Sequence, residues 1–272
     1  MSGEIRERAC RFGETRQLAG IVTEPLRVPR ASAILVTAGL TPKAGPFRLY
    51  AQLARRLAAV QGLRVLRFDL GGIGDSVDAY GGLPLRERTR RELRAAADFL
   101  TGGLSPQGLI LGGLCSGAED SLRYAAEDPR VTGLFLLDAF GYRTPGWRWR
   151  DGLIRAARRG LGMAGFIAKD TGGEQDTLVD YQPMARAECV RHLETLLARD
   201  AGLHFVYTGG MRESFNHRAQ FQAMFRGVDF RGCATVDYFP QLRHTQVLEA
   251  DRRLVIESIE RGLASQALRC PR

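Results

Sequence analysis

Leu109-Ile110-Leu111-Gly112-Gly113-Leu114-Cys115-Ser116-Gly117-Ala118-Glu119-Asp120 carries an apolar run into glycines and sets a thiol beside a hydroxyl at the head of a helical pattern. Three readings compete: a phosphate-cradling loop, a nucleophile on a sharp turn, and a plain strand-to-helix connection around an inert cysteine. The phosphate loop fails first, because no G-x-G-x-x-G stands in register and no Gly-Lys-Ser/Thr follows. A nucleophile on such a turn needs small residues two before it and two after, because the strand folds into a helix so sharply that side chains there collide. With Cys115 as nucleophile these positions are Gly113 and Gly117. Shifted by one to Ser116 they become Leu114 and Ala118, and a leucine does not fit the turn. The spacing selects the thiol over the hydroxyl, with the inert-cysteine reading still open on these five residues alone.

Outward from this stretch the chain alternates. Runs rich in Val, Ile, Leu and Phe start at Ser32, Leu63, Gly108, Val131, Leu203 and Ala234, and read as strands. Apolar residues at three-to-four spacing between them, as in FRLYAQLARRLAAVQG, read as amphipathic helices. The segment EADRRLVIESIERGLASQAL closes the chain as a last helix. Strands alternating with helices specify an α/β protein with a mostly parallel central sheet and helices on both faces. The early stretch ETRQLAGIVTEP reads as an antiparallel hairpin on the sheet edge. From about Tyr142 to Arg199 no strand pattern occurs, so residues 142–199 are expected to form a helical cap inserted between core segments 1–141 and 200–272. Such a cap would stand over the carboxyl ends of the strands, where open α/β sheets bind ligands.

At 272 residues, with 44% hydrophobic and 25% charged content, the chain has ample material for a globular core. The net charge of +9 is unusual and comes from arginine, since Lys43 and Lys169 are the only lysines. The arginines are spread along the chain and match no nucleic-acid module, so no nucleic-acid partner is expected. Five cysteines without CxxC spacing suggest neither a disulfide framework nor a structural metal. The amino-terminal MSGEIRERACRFGE is charged and lacks an apolar core, and no apolar run reaches the ~20 residues of a membrane span, so a cytoplasmic protein is expected.

A nucleophile on a strand-to-helix turn is followed, in chain order, by an acid and then by a histidine on the loop after the last strand. His244 occupies that place, in FPQLRHTQV, between the last strand pattern and the closing helix. His192 falls inside a helix, His204 inside a strand, and His217 past a strand end. For the acid, Glu213 after LHFVYTGG is favoured, and Asp138 after LFLL is the second position from which a carboxylate could reach His244. The oxyanion hole would use the backbone N–H of Ser116 and that of Leu40, in the loop TAGLTPKAG after the first core strand.

These residues resemble the α/β-hydrolase superfamily, within it the serine-aminopeptidase-like bacterial hydrolases that carry a Gly-Leu-Cys nucleophile elbow, including exosortase-associated hydrolases. The matching segments are TAGLTPKAGPFRLYAQLARRLA, LRFDLGGIGDS, GLCSGAEDS, DPRVTGLFLLD and His244-Thr245, with the cap matching only in its opening YRTP. Where family members often have Asp before the final His-Thr, this chain has Arg243. The resemblance implies an α/β-hydrolase fold with a helical cap, and a hydrolase or acyltransferase.

A cysteine nucleophile forms a thioester acyl-enzyme, which reacts well with amines and thiols relative to water. The expected activity is therefore acyl-ester or acyl-thioester hydrolysis or acyl transfer, with C–C bond or lactone hydrolysis on the same machinery as a further option. The alternative is a non-catalytic binding or scaffold protein with a degenerate triad. A small-molecule acyl substrate is expected, with coenzyme A or an acyl-carrier protein as candidate carriers, because Arg143, Arg148, Arg150, Arg155, Arg158, Arg159 and Lys169 face only Asp151 and Asp170. Trp147 and Trp149 among those arginines suggest cap–core packing or an interfacial surface. No metal and no redox cofactor are implied, and the oligomeric state is open.

Overall fold

Alternation along the strands decides how the core divides. In the computed structural model, which describes residues 3–102, 108–160 and 182–267, eight strands form one sheet in the order β1-β2-β4-β3-β5-β6-β7-β8. The strands are β1 (Ile5–Phe12), β2 (Leu18–Pro25), β3 (Ala31–Val36), β4 (Leu63–Phe68), β5 (Leu109–Leu114), β6 (Val131–Leu137), β7 (Gly202–Thr208) and β8 (Ala234–Phe239). Strands β3 to β8 pair with one another in parallel, while β2 pairs antiparallel with both β1 and β4; the hairpin expected within ETRQLAGIVTEP is formed instead by β1 with β2, and that stretch supplies only the turn and β2.

Successive residues point to opposite faces, and both faces are covered. Ile34, Val36, Leu66, Leu109, Leu111, Leu134, Leu136, Leu203 and Phe205 lie in one apolar cluster. Ala33, Leu35, Val65, Phe135, Leu137 and Val206 lie in the other. The first face is covered by α2 (Leu85–Thr101), α3 (Ser116–Glu127), α5 (Arg186–Leu197) and the short α6 (Gln220–Met224), and the second by α1 (Leu49–Arg56) and α7 (Glu249–Ala267).

Two departures from the sequence pattern matter for the site. The helix read from Phe47 onward begins only at Leu49, because Phe47 and Arg48 take left-handed conformations (φ 46° and 67°), and it finishes in a π turn over Leu57–Gln61. The stretch 142–199 also divides. The helix α4 (Pro145–Gly160) buries only Trp147 among its described side chains, 145–156, whereas α5 buries Cys189, Leu193, Leu196 and Leu197 in the cluster that covers the sheet. Its apolar face thus places α5 among the sheet-covering helices. Residues 161–181 of the expected cap, Lys169 and Asp170 among them, lie outside the described residues. No helix among the described residues is long and apolar enough to cross a membrane.

Candidate active site

The turn between β5 and α3 is as tight as the glycine spacing requires. Cys115 has φ 56° and ψ −124°, a conformation costly for any residue with a Cβ and of the kind found at functional turns. A Cβ on Gly113 would sit 2.4 Å from the Val36 carbonyl oxygen, and one on Gly117 2.3 Å from the same oxygen. The elbow therefore presses against the end of β3, and only glycine fits on either side of the cysteine. The Cys115 amide donates to the Leu137 carbonyl (2.9 Å) and fixes the elbow to β6. The thiol is partly exposed.

Asp138 follows β6 directly, with φ 48° and its amide bonded to the Val206 carbonyl at 2.8 Å. Its carboxylate is buried and accepts from the Thr208 amide (2.7 Å) and the Thr208 hydroxyl (2.6 Å) at the end of β7. The same Oδ2 lies 2.9 Å from Nδ1 of His244. With Nδ1 on Asp138, Nε2 is the ring nitrogen left for the Cys115 side, and Cys115 acts on the charge of the imidazole. Burial disfavours the imidazolium, but Asp138 and the Cys115 sulfur outweigh it and raise the His244 pKa to about 10.

The carboxylate beside His244 is thus Asp138, and not Glu213. Glu213 is exposed, and its contact is a backbone one: its carbonyl accepts from Arg143 Nε at 2.7 Å. The reason lies in the Gly209-Gly210 turn after β7. A Cβ on Gly210 would stand 2.5 Å from the backbone nitrogen of His244, and one on Gly209 2.1 Å from the Pro240 carbonyl oxygen. The His244 loop fills the space next to these glycines, and the chain has passed it before Glu213 is reached.

The loop after β3 is held from two sides. The Gly39 amide donates to the Ser116 hydroxyl at 3.1 Å, so the side chain rejected as nucleophile ties the loop to the start of α3. Four residues on, the Lys43 amide and ammonium both bond the buried Asp69 (2.6 Å each), and the ammonium also reaches Asp75 at 2.5 Å. Burial disfavours the charged Lys43, but the two carboxylates outweigh it and its pKa is raised. Between these ties, neither the Leu40 amide nor the Ser116 amide donates to another group among the described residues.

Sequence reasoning missed Tyr50. Fully buried, it donates from its hydroxyl to the Val36 carbonyl (2.8 Å) and accepts from the Leu114 amide (2.8 Å), bridging the ends of β3 and β5 on either side of the elbow. In sequence it is one more apolar position of α1, and a buried phenol needing partners was the only available signal. The other histidines stay away from the thiol. His204 is buried between Thr235 and Ser258, and burial lowers its pKa to about 4. His192 lies on α5 and His217 caps the turn before α6 through the Ala219 amide.

No family model matches the chain, and no curated protein matches it. Among solved structures, the esterase PF2001 from Pyrococcus furiosus superposes with a TM-score of 0.63 at 10% identity, over 96% of this chain and 91% of that one. The protein XC6422 from Xanthomonas campestris, described as an α/β serine hydrolase without lid, gives a TM-score of 0.60 at 15% identity, over 97% of this chain and 96% of that one. Est1E from Butyrivibrio proteoclasticus gives 0.60 at 13% identity, over 96% and 99%.

Proposed function

From the α/β-hydrolase fold of this chain, we propose that the protein is an acyl-ester or acyl-thioester hydrolase or acyltransferase working through a cysteine nucleophile. The observation that carries the reading is the hydrogen bond from His244 to the buried Asp138, on an imidazole whose charge Cys115 also favours, with Cys115 at the strained elbow. His244 takes the thiol proton and holds it as imidazolium beside Asp138. The Cys115 sulfur attacks the acyl carbonyl, and the charge formed on the carbonyl oxygen is met by the Ser116 and Leu40 amides. Collapse of the tetrahedral intermediate expels the alcohol or thiol, which takes the proton back from His244. A water, amine or thiol then attacks the thioester with His244 as base, releases the acyl group and restores Cys115.

Esterases among the structural neighbours support the reaction class. The choice of thiol rests on the elbow itself, where Cys115 has the strained backbone and acts on the charge of His244 while the Ser116 hydroxyl is occupied by Gly39. A scaffold protein with a degenerate triad would have no use for a buried aspartate aligned on that histidine. Thioester exchange chemistry suits an acyl group carried on coenzyme A or an acyl-carrier protein, the carriers to be tried first as donors.

Intact-protein mass spectrometry tests the reading. Wild type and Cys115→Ala are incubated with p-nitrophenyl acyl esters and with acyl-coenzyme A compounds. The expected result is an acyl adduct on wild type that is absent from Cys115→Ala. If neither protein labels, and iodoacetamide leaves native Cys115 unmodified, the enzyme reading is overturned.

A further inference from the structure

The helix α4 carries two tryptophans two residues apart, and a two-residue step is 200° around an α-helix. Trp147 and Trp149 therefore face opposite ways. Trp147 faces the body of the protein: it is buried, its Nε1–H donates to the Arg212 carbonyl at 3.0 Å, Arg143 stacks on its ring at 4.7 Å, and its own carbonyl accepts from Asn216. Trp149 is 68% exposed, and it shares an i, i+4, i+7 stripe with Leu153, 51% exposed, and Ala156. Ile154, seven residues after Trp147, lies on the side of the helix that carries Trp147 and stands outside this stripe. Beside it Arg148 and Arg155 line up at i, i+7. Over its whole length α4 holds five arginines and one acid, Asp151, which pairs with Arg155.

We propose that this face of α4 docks the protein onto an anionic phospholipid surface. A soluble helix turns its apolar stripe toward the core. This one turns its apolar stripe outward and anchors the opposite side through Trp147, which is the arrangement of a helix lying in a membrane interface. Recognition of phosphate groups alone would use the arginines and leave Trp149 and Leu153 in water. A bilayer surface takes both halves: the indole and aliphatic side chains enter the headgroup region, and the arginines meet lipid phosphates. Charge favours the same partner, since the chain as a whole carries +9. Leu40 and Phe47 on the loop after β3, and Val247 and Leu248 just past His244 in sequence, are further exposed apolar side chains. Attachment through α4 does not depend on the chemistry of Cys115.

The chain has just these two tryptophans, so Trp149 reports directly. The Trp147→Phe protein, with Trp149 as sole indole, is titrated with vesicles of phosphatidylcholine and of phosphatidylcholine mixed with phosphatidylglycerol. Wild type and Cys115→Ala are co-sedimented with both. The expected result is a blue shift of Trp149 emission with the anionic vesicles, and co-sedimentation about tenfold stronger on them than on neutral ones. It should be equal for wild type and Cys115→Ala, and lost in Trp149→Ala/Arg148→Glu. Equal binding to both vesicles, no binding, or Trp149 emission already blue-shifted without vesicles would each overturn the proposal. So would a shift produced by an acidic acyl-carrier protein and not by lipid. If wild-type co-sedimentation persists unchanged in Trp149→Ala/Arg148→Glu, α4 is not the docking face.

Discussion

Asp138 and Glu213 stand at equivalent places, each beyond the carboxyl end of one of two adjacent parallel strands, β6 and β7. One is buried, doubly bonded by Thr208 and in contact with His244; the other is exposed. The difference lies in the first residues past each strand. Asp138 enters the left-handed region at once, and its amide stays on the neighbouring strand through Val206. That turn sets its carboxylate against the end of β7 and the returning His244 loop. Glu213 comes five residues after its strand, beyond a glycine turn whose free space the His244 loop already occupies. A strand end selects a neighbourhood, and the backbone within the next residue or two decides which side chain enters it.

Exchanging the charge at each place gives the largest expected difference. Asp138→Asn keeps the shape and removes the charge that holds the imidazolium and its tautomer, and should lower kcat/KM for p-nitrophenyl ester hydrolysis by about 10²-fold or more. Glu213→Gln should stay within about twofold, as exposed loop charges usually do. Equal losses in both variants, or a larger one at Glu213, would reverse the assignment of the third residue.

The same contrast can be read in protons. His244 and His204 are held in opposite ways, one with its pKa raised to about 10 by Asp138 and Cys115 against burial, the other lowered to about 4 by burial. A raised folded-state pKa contributes stability that is complete below the unfolded value near 6.5 and is lost as pH climbs toward 10. A lowered one costs stability as pH falls from 6.5 toward 4. Histidine Cε1–H resonances followed by NMR should therefore show one ring titrating near each extreme. Asp138→Asn should bring the upper midpoint down and leave the lower one in place; an upper midpoint that does not move would remove Asp138 from the imidazole.

What the residues revealed and what they concealed divide along one line. Strand runs, the antiparallel strand β2, the spacing of the cysteine elbow and the place of His244 were legible because each rests on local spacing: period two, period 3.6, or glycines two away from a nucleophile, whereas β1, the first strand of the hairpin, was not read. The pairing of Asp138 with His244 spans 106 residues and depends on a positive φ at an aspartate, for which sequence offers only the weak signal that Asp tolerates it. Tyr50 was concealed for the same reason, since its hydroxyl ties strands that are far apart in the chain. The division of 142–199 was invisible because both segments read as helix, and only packing reveals that α5 buries its apolar face while, over the described side chains 145–156, α4 buries only Trp147.

The smallest expected effect separates the two adjacent side chains with which the problem began. If Cys115 is the nucleophile and the Ser116 hydroxyl positions the loop after β3, then Ser116→Ala removes the acceptor for the Gly39 amide but keeps the Ser116 backbone amide in place. Loosening one support of one oxyanion donor should cost about tenfold in kcat, well short of losing the donor itself, with KM within about twofold. The Lys43–Asp69 tie further along the loop limits the loss, because it still holds the other end. Ser116→Thr retains the hydroxyl and should recover most of the rate, a rescue that a merely structural defect in α3 would not show. If Ser116→Ala instead abolished turnover and acyl labelling together, while Cys115→Ala still labelled, the hydroxyl would be the nucleophile, and the strained backbone at Cys115 would need another explanation.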